Sequence, residues 1–383
     1  MQLVFGIIVG LIVLVVLVVL HELGHAIAAK RSGVNVEEFG IGFPPRAWST
    51  PLKKGFLKGT LFSLNWLPLG GFVKLQGEHD AAAKKGDFGA ATFWQKTKIL
   101  FAGVVANWII AVVILSILAV VGLPKILPDQ FSIPSDTVTT TQPVELGSLV
   151  AGYPAANAGL KSGDKIITFA GESLTSTDQL VQVSLAHKGQ AIPVVYERDG
   201  QDHTVTVTLR NASSAVFGST LGQEQRIKAT WSAPIVGVVT TAQFTWVTLQ
   251  GLGHLLGDLG SGLFMQLSPN EATRQQGSAN LGEAGSSVAG PIGILGTIFP
   301  AASAAGPTQV FFLAAIISLT LAVMNVLPIP ALDGGSWFLM VLFRLIKKPL
   351  TKDLEEKIKG IGFLVLMALV ILVTVGDVTK LFK

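Results

Sequence analysis

Residues Leu3 to Leu20 form an uncharged apolar run of eighteen residues, and the next five are His21-Glu22-Leu23-Gly24-His25. At 1.5 Å per residue, a helix over this run covers about 27 Å, close to the roughly 30 Å hydrocarbon thickness of a bilayer. On that helix, positions i and i+4 lie on one side. Both imidazoles can therefore grip one zinc, with Glu22 beside them to act on a metal-bound water as general base. Ionisable groups at membrane depth are costly and usually functional. The plainer alternative is two interfacial histidines with a snorkelling glutamate.

Composition agrees with a membrane chain. Half of the 383 residues are hydrophobic and 14% are charged, against roughly 25% charged in an ordinary soluble domain. Mean hydropathy is +0.58. A disordered chain is excluded, and a purely soluble enzyme is disfavoured. Further apolar runs cover Ile99 to Leu123, Val310 to Leu332 continuing through Ser336 to Leu345, and Ile361 to Val375. Together with the first run they make four spans. Lysine and arginine concentrate in residues 30–98 and 347–359. The positive-inside rule puts those segments in the cytoplasm, and both termini and the long middle region outside. The net charge of +4 thus reads as loop lysines rather than a nucleic-acid surface. Val236 to Leu259 is moderately apolar but carries Thr240, Thr241, Gln243, Gln250, His254 and Asp258. It reads as an amphipathic helix at the outer interface, because a fifth span would put 347–359 outside. There is no cysteine, so any metal is held by His, Asp or Glu.

Zinc catalysis takes three protein ligands and one open position. Asp333, in Asn325-Val326-Leu327-Pro328-Ile329-Pro330-Ala331-Leu332-Asp333-Gly334-Gly335, should reach the level of His21 and His25. Pro328 and Pro330 prevent a regular helix there. A helix cap before Gly334 is the alternative for Asp333. Asn325 and Asn107 are amides inside apolar runs. Asn325 is a candidate to bind the scissile peptide or stabilise its oxyanion. Asn107, one turn after Gly103, is a candidate substrate contact or an interhelical hydrogen bond.

Val34 to Gly77 reads as strands and turns, with Leu69-Gly70-Gly71 as a hairpin turn. The hairpin either lies in the cytoplasm or dips into the membrane. In the second case its edge, at Gly70, Gly71, Phe72 and Val73, can pair with an extended substrate. Residues 140–210 gain charge and alternate with period two, as in a small soluble domain. Residues 266–289 are small and polar and read as a flexible connector. His79, His187, His203 and His254 lack ligand spacing.

These residues together resemble the site-2 protease family of intramembrane zinc metalloproteases, in its bacterial regulator-of-sigma-E branch. HELGH at 21–25, GFPP at 42–45, PLGGFVKLQGE at 68–78, FAGVVANW at 101–108, GPIGI at 290–294 and NVLPIPALDGG at 325–335 carry the resemblance over nearly the whole chain. Val104 replaces the family's usual proline. Residues 153–166, YPAANAGLKSGDKI, are similar to a segment of PDZ domains, present here in one copy. The resemblance implies zinc on His21, His25 and Asp333, with Glu22 catalytic.

The expected architecture is a polytopic α-helical membrane protein. Four transmembrane helices would carry a membrane-reentrant β-hairpin and an inserted extracytoplasmic PDZ (α+β) domain. The expected parts are a first span at 1–31, a cytoplasmic or reentrant β region at 32–98, a second span at 99–123 and the PDZ domain at 135–212. A connector at 213–306, a third membrane region at 307–346, a cytoplasmic loop at 347–360 and a last span at 361–379 follow. The implied substrates are single-span proteins of anti-sigma-factor or remnant-signal-peptide type, in a bacterial inner or plasma membrane. The active site would sit near the cytoplasmic side. The PDZ domain would either bind chain ends or exclude bulky substrates. Two other readings stand beside this one: a membrane-anchored quality-control metalloprotease, and an inactive PDZ scaffold. The oligomeric state is left open.

Overall fold

A computed structural model describes residues 1–287 and 289–381. The chain begins with α1 (Gln2–Arg31), β1 (Val36–Pro51), β2 (Leu61–Leu75) and α2 (Phe93–Val121). Then come β3 (Leu123–Pro124), β4 (Val138–Thr141), β5 (Val144–Leu149), α3 (Pro154–Asn157), β6 (Lys165–Phe169), β7 (Glu172–Ser173) and α4 (Thr177–Ala186). After these are β8 (Ala191–Arg198), β9 (Gln201–Thr208), β10 (Ser219–Gly222), β11 (Gln225–Lys228), α5 (Ala233–Gln266) and α6 (Glu271–Ser287). The chain closes with α7 (Pro291–Gly293), a π-helical turn (Ile294–Ile298), α8 (Phe299–Ala305), α9 (Pro307–Val326), α10 (Asp333–Leu345) and α11 (Lys352–Leu381). It divides into two compact units, residues 1–117 with 234–383, and residues 118–233.

The first unit is helical and apolar. Among the described residues five helices are long and apolar enough to cross a membrane: α1, α2, α5, α9 and α11 through Val378. The protein is thus a polytopic helical membrane protein. The 34-residue α5 contains the segment expected at the interface, and it is the least hydropathic of the five at 1.2 against 3.5 for α1.

Three expectations for this unit need correction. The connector expected at 266–289 is largely helical, as α6. Gly277 lies against the Gly262 backbone, and the Gln266 amide donates to Ser278 Oγ at 2.7 Å. Polar contacts, close approach at glycine and the single Leu281 against Gly262 replace the apolar stripe that sequence periodicity looks for. The loop expected at 347–360 is shorter, because α11 already starts at Lys352. The third correction concerns the turn at Leu69-Gly70-Gly71. The chain reverses between β1 and β2 across 52–60, and these three residues lie inside β2. Residues 38–41 of β1 register against both 61–64 and 71–74. β2 therefore crosses from one flank of 38–41 to the other, and Gly70 takes the bend at φ +112°, a region that favours glycine. Residues 71–75 are left at the sheet's outer side, registered only against β1.

The second unit holds a sheet in the order β10-β5-β6-β8-β9, with β7 paired to β6, and a smaller sheet β3-β11-β4. Val144, Leu146, Ile166, Phe169, Leu180, Val194 and Val207 are fully or almost fully buried in its core. Ser176 caps α4 by accepting the Gln179 N–H at 3.1 Å. The larger sheet reaches past 212, where the PDZ domain was expected to end, because β10 (Ser219–Gly222) pairs with β5 at its edge. β10, α4 and the 213–218 loop line one apolar groove.

Candidate metal centre

α1 ends its apolar run at the two histidines, which are 7% and 6% exposed. Their nearest partner is α2. Gly24 of α1 sits so close to α2 that a Cβ there would stand 2.5 Å from the Ala102 carbonyl oxygen. A Cβ on Gly103 would stand 2.4 Å from His25 Nε2 and 2.5 Å from His21 Cε1. The bare backbone of Gly103 is therefore the floor on which both rings lie. α2 also supplies their outer hydrogen-bond partners. His25 Nδ1–H donates to the Ile99 carbonyl at 2.7 Å, which leaves the Nε2 lone pair facing inward. The Asn107 side-chain amide lies 3.2 Å from His21 Nδ1, and its own oxygen is buried without a partner. Turned so that this oxygen faces the ring, the amide accepts Nδ1–H and presents His21 Nε2 as a second bare lone pair.

Asp333 completes the set. Pro328 and Pro330 fall in the break between α9 and α10, and Asp333 is the first residue of α10. Gly334 and Gly335 let α10 close on that break, since a Cβ on either would strike the Val326 or Ile329 carbonyl. Asp333 Oδ2 stands 3.2 Å from His21 Nε2 and 3.3 Å from His25 Nε2. The two Nε2 atoms are 3.1 Å apart. Three acceptors converging on one point repel each other unless a cation lies among them. Donors bound at about 2.0–2.1 Å to a tetrahedral zinc stand about 3.3–3.4 Å apart. Among the described residues this is the one group of three or more such side chains positioned to share a metal. The donor set, two imidazoles and one carboxylate, suits zinc with one position open.

Glu22 lies beside this triangle, where its Oε2 accepts the Val73 N–H at 3.0 Å. Two cavities meet at Glu22 and Asp333. One, of about 220 Å³, is lined by Val18, His21, Asn107, Leu321 and Asn325. The other, of about 190 Å³, runs past Val73 and Leu75 to Glu78 and Glu355. Its far side is tied by one backbone hydrogen bond and two ion pairs. The Asp80 N–H donates to Glu355 Oε2 at 3.0 Å, Lys359 Nζ to Glu355 Oε1 at 2.6 Å, and Lys96 to Asp80. Burial raises the Glu78 carboxyl above its ordinary range, with the Leu75 N–H opposing.

The structure thus brings His21, His25, Asp333, Glu22, Asn325, Asn107 and Val73 around one point. Gly71 backs onto α1, where a Cβ would stand 3.3 Å from Val19 and 3.9 Å from Glu22 Cγ. Gly70 neighbours Val18 in the same way. Phe72 points elsewhere, its ring lying over Gly40. Asn107 is fully buried against His21. Sequence reasoning missed the ring floor at Gly103, the Ile99 carbonyl and Glu78. The four-residue step from Gly103 to Asn107 was the available signal for the first.

Two imidazoles, a carboxylate and an adjacent glutamate outside the donor triangle, set among apolar helices, define a membrane zinc metalloprotease. The chain belongs to peptidase family M50, the site-2 protease family, whose pattern matches residues 9–369. It is 27% identical to the zinc metalloprotease RasP of Geobacillus kaustophilus, over 96% of each chain. It is 26% identical to the regulator of sigma-W protease RasP of Bacillus subtilis, again over 96% of each. A protein of Nostoc sp. is 30% identical over 96% of this chain and 94% of its own. Among solved structures, the PDZ domain of an SdrC-like protein from Listeria monocytogenes covers 21% of this chain and 90% of that one, at 22% identity and a TM-score of 0.20. The PDZ-like character of the second unit rests on its own sheet, capped helix and groove.

Removing a ligand and removing the base should separate cleanly. His21→Ala, His25→Ala and Asp333→Ala each lose zinc, measured per chain by mass spectrometry of the purified protein. Glu22→Gln keeps about one zinc per chain. The ring supports give a second test, read by chelator competition. Asn107→Ala weakens zinc binding about 10- to 100-fold, as loss of an outer-shell partner does, and Asn107→Asp restores most of it. Gly103→Ala, which intrudes on both rings, weakens it at least as much.

Proposed function

We propose that this metalloprotease hydrolyses peptide bonds within or beside the membrane span of single-span proteins, of the anti-sigma-factor or remnant-signal-peptide type. The observation that carries this is the strand segment 71–75, lying at the sheet's outer side directly beside Glu22. A helical substrate hides its carbonyls in i→i−4 bonds. Pairing with a strand edge holds an unwound segment extended and aims one carbonyl at the metal centre.

His21, His25 and Asp333 would hold zinc, which when bound would supply Lewis-acid polarisation of water and the scissile carbonyl. Glu22 takes the proton from the attacking water and passes it to the leaving amine. Asn325, in the cavity with His21 and Asp333, is placed to donate to the substrate carbonyl, and Gly70, Gly71 and Val73 supply the pairing backbone. Asn107 acts through His21 rather than on substrate. In this reading α1, α2, α9 and α11 span the membrane, and α5 lies at its outer face. Four spans place both lysine-rich segments in the cytoplasm, next to the active site, with the termini and PDZ domain outside. The exposed Phe43, Trp48, Phe56 and Trp66 of the β1–β2 region support its dipping into the bilayer, where aromatic side chains favour the interface. The Bacillus subtilis relative carries the name of a regulator of sigma-W protease, which agrees with the anti-sigma-factor type of substrate assigned here.

Wild type and Glu22→Gln, purified in detergent, are incubated with a tagged single-span substrate and the products mapped by mass spectrometry. Wild type should cut inside the apolar run, and Glu22→Gln about 100- to 10,000-fold more slowly, the usual loss of a general base. Cuts confined to loops would favour a membrane-anchored quality-control protease. Stoichiometric zinc without cleavage of several trimmed substrates would favour a scaffold.

A further inference from the structure

In an antiparallel pair, alternate residues turn their N–H and C=O groups away from the partner strand. The register sets Phe72, Val73 and Lys74 against Gly40, Phe39 and Glu38, and Leu75 against Val36. Within this ladder the N–H groups of Val73 and Leu75 turn to side chains. The Val73 N–H donates to Glu22 Oε2 at 3.0 Å, and the Leu75 N–H donates to Glu78 Oε1 at 2.6 Å. Both carboxylates line the cavity that holds the metal ligands His25 and Asp333. They come from different places, Glu22 from α1 and Glu78 from the turn after β2. Donors two residues apart on a strand are separated by about 6.6–6.8 Å, the repeat at which an added strand presents its carbonyls. The two carboxylates thus occupy the acceptor positions of a strand that is not there.

We propose that substrate docks by exchanging peptide carbonyls for these two carboxylates. Glu22 then leaves Val73 for the metal centre, and Glu78 sets substrate affinity by competing for Leu75. The general base is held on the strand edge until an extended segment lies in register on it, so that pairing and activation are one event. This rests on the reading that the 71–75 edge receives substrate. Glu78 touches neither the metal ligands nor the scissile bond in this scheme, and acts only through the edge donor it covers.

The sign of the effect distinguishes this role from a structural one. If Glu78 merely stiffened the strand, removing it would weaken binding. If it competes, removing it strengthens binding. The test uses the full-length protein in detergent and a fluorescently labelled peptide of the single-span substrate described above, with binding followed by anisotropy. In a Glu22→Gln background, which prevents turnover, Glu78→Ala should bind about three- to tenfold tighter, the scale of one charge-assisted hydrogen bond removed from competition. Glu78→Gln should fall between, because its neutral oxygen accepts more weakly. Glu22→Ala should itself bind tighter than Glu22→Gln.

Val73→Pro is the control for the parent reading. It deletes one outward donor at a position where an edge strand tolerates proline, and zinc content checks the fold. Weaker binding by Val73→Pro together with tighter binding by Glu78→Ala supports the exchange. Weaker binding by Val73→Pro with unchanged or weaker binding by Glu78→Ala overturns the exchange and leaves the docking edge standing. Unchanged binding by Val73→Pro, with zinc retained, overturns both.

Discussion

The contact between α1 and α2 at Gly24 and Gly103 governs the metal centre. Two imidazoles one helical turn apart cannot share a metal unless their rings lean together, and a side chain at Gly103 would occupy the space of both. Close approach of the two backbones also brings the Ile99 carbonyl and the Asn107 amide within reach of the outer ring nitrogens. Those partners decide which nitrogen faces inward. In a low-dielectric surrounding an unpaired imidazole N–H is costly. The same contacts that orient the rings thus also make their burial tolerable. Asn107 extends the joint to a third helix, since its backbone carbonyl accepts the Ser318 hydroxyl of α9 at 2.9 Å.

The second constraint is the break between α9 and α10. Proline at 328 and 330 interrupts the helical ladder at the depth where Asp333 must turn toward the histidines, and the two glycines that follow let α10 pack against the break. The carboxylate then reaches both Nε2 atoms, while α10 packs against α2 through Trp337 with Phe101 and Thr97. The triangle of donors is assembled from two helices, α1 and α10. Glu22 stays outside the triangle because the edge of β2 holds it. A glutamate one residue from a ligand could otherwise bind the metal itself and close the open position.

Much of this was legible in the sequence, and the reasons differ by element. HELGH and the Asp333 segment were readable because metal spacing on a helix and proline in an apolar run each have few explanations. The alternation over 140–210 exposed the soluble domain, although β10 was missed because only its pairing with β5 makes it part of that sheet. The bend in β2 was read as a turn because two glycines in a row look alike in either role. Only the register shows that 71–75 continues the strand on the other flank of 38–41. α6 looked like a linker because its sequence is small and polar, and it is held by Gln266 with Ser278, Asn280 with Ser261 and the close approach of Leu281 to Gly262. Glu78 carried no signal, since a single acid after a strand is ordinary until its oxygen is found on the Leu75 N–H.

The most direct test of the central claim is X-ray absorption at the zinc edge, on wild type and on Glu22→Gln. The arrangement of His21, His25 and Asp333 predicts a four-coordinate shell at about 2.0–2.1 Å. It should contain two imidazoles and two oxygen donors, and be the same in both proteins. A different imidazole count, or a shell that changes when Glu22 becomes glutamine, would contradict it.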